Sequence, residues 1–311
     1  MSLPDRVSLE QLHSAVVVPR RYVGRWVAAA ILILLMLAQA LVSNSRFEWP
    51  VVWQYLFAPS ILKGLGLTLE LTVLATIISL IAGIGLALTR MSANPVLSTV
   101  AAAYIWFFRS VPLLVQIIFF YNFSALYPHI ALGLPDFGPS FGTVNAIISP
   151  FVAALLGLCF NESAYTAETV RGGILSVNPG QWAAAKSIGF RPAQTIRYVI
   201  LPQAIRVFLP PFGNQVVNLL KLTSLVSIVA LADLLYSAQL IYARTFETIP
   251  LLIVASIWYP ILVSILSYGQ SLLERRMATD PARGARRERT RAAVDGAITE
   301  REVSDARHPA A

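Results

Sequence analysis

Apolar and polar positions along this chain fall in long blocks rather than short periods. Six blocks are dominantly apolar: Trp26–Val42, Gly64–Thr89, Thr99–Phe123, Ala146–Val170, Val207–Tyr236 and Ile249–Leu272. A helix needs roughly 17–25 such residues to cross a hydrocarbon core about 30 Å thick. The pattern therefore predicts an all-α, polytopic membrane protein with about six transmembrane helices. The fifth block is longer than one crossing needs, and Asp233 near its far end predicts a break. Between the first two blocks, Phe47–Lys63 carries Trp49, Trp53, Tyr55 and Phe57, as expected of a segment lying in the interface. Residues 124–146, rich in Pro and Gly, read as an irregular loop, and 237–248 as a second loop.

Composition agrees with this class. The chain is 56% hydrophobic and 13% charged, about half the charge of a soluble domain. Ala38-Gln39-Ala40 has the form of a signal-peptidase site. The long polar stretch before the first block and its continuation to Val42 favour an uncleaved anchor. The lone cysteine, Cys159, lies in an apolar block and reads as a small buried side chain.

The net charge of +8 follows from topology. With six spans, nineteen of the 24 Lys and Arg fall on the side of the termini and of the loop after the fourth span. Three, Arg46, Lys63 and Arg244, fall on the other. The positive-inside rule then makes both termini and that loop cytoplasmic. Contact with anionic lipid is expected, and nucleic acid is not. The expected organisation is a cytoplasmic segment over 1–25, an additional N-terminal helix over 26–43, a transmembrane domain over 60–275 and a disordered cytoplasmic tail over 276–311.

Charges inside spans are costly and usually face a bundle interior or a path. Arg109, Glu162 and Lys221 lie near the middle of their blocks. Asn214, Asn218 and Lys221 recur at i, i+4 and i+7, a polar stripe on an apolar helix, and Asn161 with Glu162 puts a second polar point at similar depth. Gln116 follows Arg109 by seven residues. Such a midplane site offers both signs of charge and several amides, which is what a zwitterionic amino acid needs. The alternative is that Arg109, Glu162 and Lys221 pair with one another and tie helices together. Glu168 and Arg171, three apart at the inner end of the fourth block, read as a local structural pair.

Nothing points to catalysis. His13, His129 and His308 are in tails or loops, and there is no metal-ligand spacing, no phosphate-binding glycine loop and no nucleophile elbow. Any energy for transport must come from an ion gradient or from a partner protein.

The polar loop after the fourth block, Pro179–Pro211, contains Lys186, Arg191, Arg197 and Arg206 and no acid. Asn178-Pro179-Gly180 is a helix start signal and Gly189 a stop. Trp182, Ala185 and Gly189 form one narrow face, expected to dock into a groove on another protein.

Residues 178–202 resemble the cytoplasmic signature loop of ABC-importer permeases: Glu-Ala-Ala, three residues, Gly, nine residues, then Ile-x-Leu-Pro. Here it reads Ala183-Ala184-Ala185, Gly189 and Val199-Ile200-Leu201-Pro202. More narrowly, GLGLTLELT at 64–72, FRSVPLLVQ at 108–116, AYTAETVRGGI at 164–174, NPGQ at 178–181, LPQAIR at 201–206 and LLKLTSLVS at 219–227 resemble, in order, permeases of the polar amino acid uptake branch (the histidine/glutamate/glutamine/arginine/opine group).

The resemblance implies a type I importer permease in the bacterial inner membrane with a cytoplasmic coupling helix. Its coupling residues would be Gln181, Ala183, Ala184, Ala185, Lys186, Gly189, Leu201 and Pro202. It implies a cytoplasmic ATPase dimer that uses the ATP, so that this chain binds no cofactor or metal. It also implies a second permease subunit, the same or a sister, an extracytoplasmic binding protein and a polar amino acid substrate. Ala183 departs from the family's usual Glu, which alters the detailed contact with the ATPase. A gradient-driven secondary transporter is the alternative; it would show an internal inverted repeat and would not need a docking loop.

Overall fold

The computed structural model describes residues 23–131 and 140–277. Of the N-terminal segment expected over 1–25 and the disordered tail expected over 276–311, residues 23–25 and 276–277 are helical, and the rest lie outside the described residues. Two compact units divide at Trp49/Pro50. The first holds helix α1 (Val23–Ser43) and a 3₁₀ turn, Ser45–Phe47, capped by Asn44. Helix α2 (Trp49–Leu56) follows, and Pro59 opens the next helix.

The second unit is organised around α3 (Pro59–Arg90) and α6 (Pro150–Leu175). The buried face of α3 runs Gly64, Thr68, Leu71, Thr72, Ala75, Ser79, Gly83 and Ala87, a stripe at three- and four-residue spacing. Most of these side chains are small, so the two backbones approach closely. The opposite face of α3 exposes Val73, Ile77, Ile81 and Leu88, suited to acyl chains. Large apolar residues thus face outward and small ones inward, the reverse of a soluble helix. A Cβ added at Gly83 would lie 2.6 Å from a Thr166 methyl on α6.

The third apolar block is not one straight span. Helices α4 (Pro95–Ser110) and α5 (Leu113–Tyr121) meet at 99°. Pro112 has no N–H to continue the ladder, and it forces Val111 into extended backbone, ψ 130°. The carbonyls released at the break are bonded by side chains. Gln116 Nε2 donates to the Phe108 and Val111 oxygens at 2.9 Å each, and Asn161 Nδ2 of α6 donates to Phe108 at 2.8 Å. In hydrocarbon each unmade bond would cost several kcal/mol, so the bend depends on these two amides.

Helix α5 crosses α6 at Gly157, where an added Cβ would lie 2.7 Å from Ile117 Cγ1 and 3.2 Å from its backbone nitrogen. Replacing Gly157 with Leu is expected to destabilise the purified protein by about 1–3 kcal/mol, the usual range for overpacking. Thermal unfolding in detergent measures this; an unchanged midpoint would show that α5 is not held at this distance.

Beyond Tyr121 the expected irregular loop contains structure. Strands β1 (His129–Ala131) and β2 (Ser140–Thr143) pair antiparallel, between short helices Phe123–Leu126 and Val144–Ile147. After α6 come α7 (Pro179–Ser187), a turn at Pro192–Thr195, a π-helical turn at Ile196–Ile200 and α8 (Leu201–Leu222). The fifth block is broken as Asp233 suggested. A 3₁₀ segment, Thr223–Val229, ends at Ala230 with φ +57°, and Asp233 then caps a new helix, α9 (Leu234–Thr245), by accepting from the Tyr236 N–H at 2.8 Å. Most of the loop expected over 237–248 is therefore helix. The last element is α10 (Thr248–Met277).

Among the described residues, three helices have the length and apolarity of a membrane span: α3, the Pro192–Val229 series and α10. The bent α4–α5 pair is a fourth if counted as one. Helix α6 has the length, but Asn161, Glu162, Glu168 and Arg171 interrupt its apolarity. Its burial comes from its neighbours: α3, α4, α5 and α8 all contact it. One apolar cluster joins these elements through Leu71, Ala75, Leu113, Ile117, Leu158, Leu219 and Val226, with the Cys159 thiol buried at its edge.

Candidate functional site

A cavity of about 680 Å³ opens between the α4–α5 bend, α6 and α8. The break supplies Arg109 through Leu113, α6 supplies Asn161, Glu162 and Tyr165, and α8 supplies Pro211, Asn214, Gln215, Asn218 and Leu222. Each group of α6 and α8 residues repeats at three or four positions, one helical face turned to one space. Five residues expected at a midplane site, Arg109, Asn161, Glu162, Asn214 and Asn218, are thus brought together.

Their roles differ. Glu162 is only 6% exposed, and its Oε1 has no hydrogen-bond partner. The Asn161 amide is engaged with the Phe108 carbonyl, so it holds the bend as well as the wall. Arg109 is exposed at the cavity, and its guanidinium lies 5.1 Å from the centre of the Tyr165 ring. No ion pair joins Arg109, Glu162 and Lys221 to one another, so the arrangement in which these three tie the helices together is absent here. On α6 the Arg171 guanidinium instead donates to Glu168 Oε2 at 2.6 and 3.1 Å.

Two expected site residues stand elsewhere. Gln116 is buried and spends its amide on the bend. Lys221 is exposed and does not line the cavity; Leu222 beside it does. The wall of α8 runs Pro211, Asn214, Gln215, Asn218 and Leu222, so it passes one residue beyond Lys221. Tyr165 and Gln215 were missed. Tyr165 lies four positions after Asn161 and three after Glu162, on the same face, and that spacing was the available signal. Gln215 donates to Thr169 Oγ1 at 2.8 Å while its buried Oε1 is unbonded.

The second candidate surface is the loop around α7. Asn178 caps it by accepting from the Gly180 N–H at 2.7 Å, with Pro179 in the first turn. At the other end Gly189 takes φ +81°. Its N–H bonds the Lys186 carbonyl at 3.0 Å and the Phe190 N–H bonds the Ala185 carbonyl at 3.1 Å. These two bonds form a Schellman stop. The expected docking face is divided. Ala185 is 2% exposed and faces the chain itself, whereas Gln181, Trp182, Ala183, Ala184, Lys186, Ile188 and Gly189 are exposed. Leu201 and Pro202 are exposed beyond the π turn. Ile188, 70% exposed, is an apolar tip beside the Gly189 turn.

Comparison with known proteins agrees with this fold. Residues 75–279 match the family described as binding-protein-dependent transport system inner membrane component. The chain is 39% identical to the arginine transport system permease protein of Corynebacterium glutamicum, across 90% of this chain and 89% of that one. It is 33% identical to the glutamine transport system permease protein of Escherichia coli K12, across 75% of this chain and 98% of that one. An amino acid ABC transporter solved with histidines superposes with a TM-score of 0.60 at 37% identity, over 71% of this chain and 95% of that one. The inward-facing MetNI methionine ABC transporter shares the fold, with a TM-score of 0.56 at 19% identity over 72% and 97% of the two chains. This chain belongs to the family of binding-protein-dependent transport inner membrane components, as a permease subunit of an ABC transporter.

Proposed function

We propose that this permease moves a polar amino acid inward across the bacterial inner membrane, with Glu162 receiving a cationic group of the substrate and Arg109 its carboxylate. The observation that carries this is the buried Glu162 carboxyl with one oxygen unpartnered, facing an amide-rich cavity. A volume of about 680 Å³ lies within the roughly 300–1,000 Å³ usual for small-molecule sites. Asn214 and Asn218 supply further donors and acceptors. The names of the relatives, transporters of arginine and glutamine, support an amino acid of this class.

The exposed α7 surface, with Trp182, Ile188 and the Gly189 turn, docks on a cytoplasmic ATPase subunit that supplies the energy. Ala183, where family members carry Glu, makes that contact less acidic. A second permease, identical or a sister, completes the path, and an extracytoplasmic binding protein delivers the substrate. The transmembrane domain spans 60–275 with both termini cytoplasmic, and this chain binds no cofactor of its own.

The test is purification of the tagged full chain from mild detergent, identification of what accompanies it, and uptake of labelled amino acids in liposomes. An ATPase should accompany the chain, and uptake should require ATP. A chain that moves substrate in ATP-free liposomes would establish gradient-driven transport instead.

A further inference from the structure

A second cavity, of about 530 Å³, lies away from the proposed path, between the start of α3 and helix α9. Two cations line it, Lys63 and Arg244, together with Tyr55, Ser60, Ser237 and Thr245. No Asp or Glu is among its lining residues. The nearby acid, Asp233, is fully buried and is not among them; it accepts from the Tyr236 N–H of α9 at 2.8 Å and from the Tyr259 hydroxyl of α10 at 3.4 Å.

The position of Lys63 is unusual. It stands near the N-terminus of α3, where the helix dipole favours acids, yet the first turn has none and the N-cap, Ala58, has no capping side chain. Arg244, in contrast, is suitably placed in the last turn of α9. The result is a local excess of positive charge on the pocket wall, with hydroxyl donors around it and no Asp or Glu among the described lining residues.

The surroundings locate this pocket at the headgroup level. Trp53, Phe57 and Phe246 are 65%, 63% and 87% exposed, and Leu240 on the pocket wall is 41% exposed. Trp258 donates to the Leu56 carbonyl at 2.8 Å and meets Phe57 edge-on. Aromatic rings of this kind anchor at the membrane–water boundary.

We propose that this pocket binds the phosphate of a net-anionic phospholipid, held between Lys63 and Arg244. A zwitterionic lipid is a poorer occupant, since its ammonium finds no carboxylate on the wall. Two cations near the surface correspond to a preference of roughly thirtyfold for anionic over zwitterionic lipid.

The test is native mass spectrometry of the full-length protein released from nanodiscs of mixed phosphatidylglycerol and phosphatidylcholine. The wild type should retain phosphatidylglycerol with about that preference, the Lys63→Gln/Arg244→Gln double variant should lose it, and the charge-keeping Lys63→Arg/Arg244→Lys variant should keep it. Equal retention by the glutamine variant overturns the proposal. So does displacement of the lipid by millimolar inorganic phosphate, which would assign the pocket to a soluble anion. If the glutamine variant does not fold, retention by the wild type without preference for phosphatidylglycerol overturns it equally.

Discussion

Uptake by cells carrying Gly189→Asp is expected to fall to background while the protein remains in the membrane at its normal level. Gly189 closes α7 with φ +81°, and two hydrogen bonds depend on that conformation. A side chain there costs about 1–2 kcal/mol of backbone strain. That is too little to unfold the transmembrane core. No heavy atom lies within 4 Å of a Cβ built at Gly189, so the chain itself leaves room for a side chain. The loss is therefore expected at the surface α7 presents, where a carboxylate beside Ile188 and Lys186 would meet the proposed ATPase partner. Gly189→Ala separates the two causes. It carries the strain without the charge or reach, and it should retain most of the uptake. Normal transport by Gly189→Asp would remove the basis for docking at this turn.

The second large effect is expected at Glu162. Changing it to Gln keeps the shape and removes the charge. If a cationic substrate group pairs there, apparent affinity should fall about 100-fold, within the range for deleting one member of a buried charged contact. Stability should move the other way. A buried carboxyl with an unbonded oxygen is costly in the membrane, and the neutral amide relieves that cost. Transport kinetics and the thermal midpoint of the same variant thus give opposite signs. A scaffold role for Glu162 predicts lost stability with unchanged substrate dependence, and that result would refute its assignment to the path.

How far the sequence discloses this arrangement depends on the kind of feature. The amides of α8 were visible because polar residues on an apolar helix stand out at any register. Lys221 stood out for the same reason, but its charge says nothing about direction, and it is exposed outside the cavity lining. The bend at Pro112 was hidden because the two arms together are long and apolar enough to read as one span, despite Arg109 and Ser110 at the 99° turn. Pro112 itself was the visible sign. Helix α9 was hidden by its polar positions, Ser237, Gln239 and Arg244, although Asp233 was already a good N-cap. The direction of Ala185 was illegible for a different reason. Which face of α7 turns inward is decided by the π turn at Ile196–Ile200, and contacts across the loop leave no period in the sequence.

The bend also constrains how this wall can move. The Phe108 carbonyl accepts from both Gln116 and Asn161, so one oxygen is shared by the arm beyond the break and by α6. Flexing α5 against α4 would break the three bonds that Gln116 and Asn161 make to the carbonyls at the break. The corner is therefore a rivet, not a joint. An opening and closing path must turn this wall as one piece, with α4, α5 and α6 keeping their mutual angles. The backbone already departs from the α-helix at the π turn before α8 and in the 3₁₀ segment after it, and these are the places expected to take up the displacement.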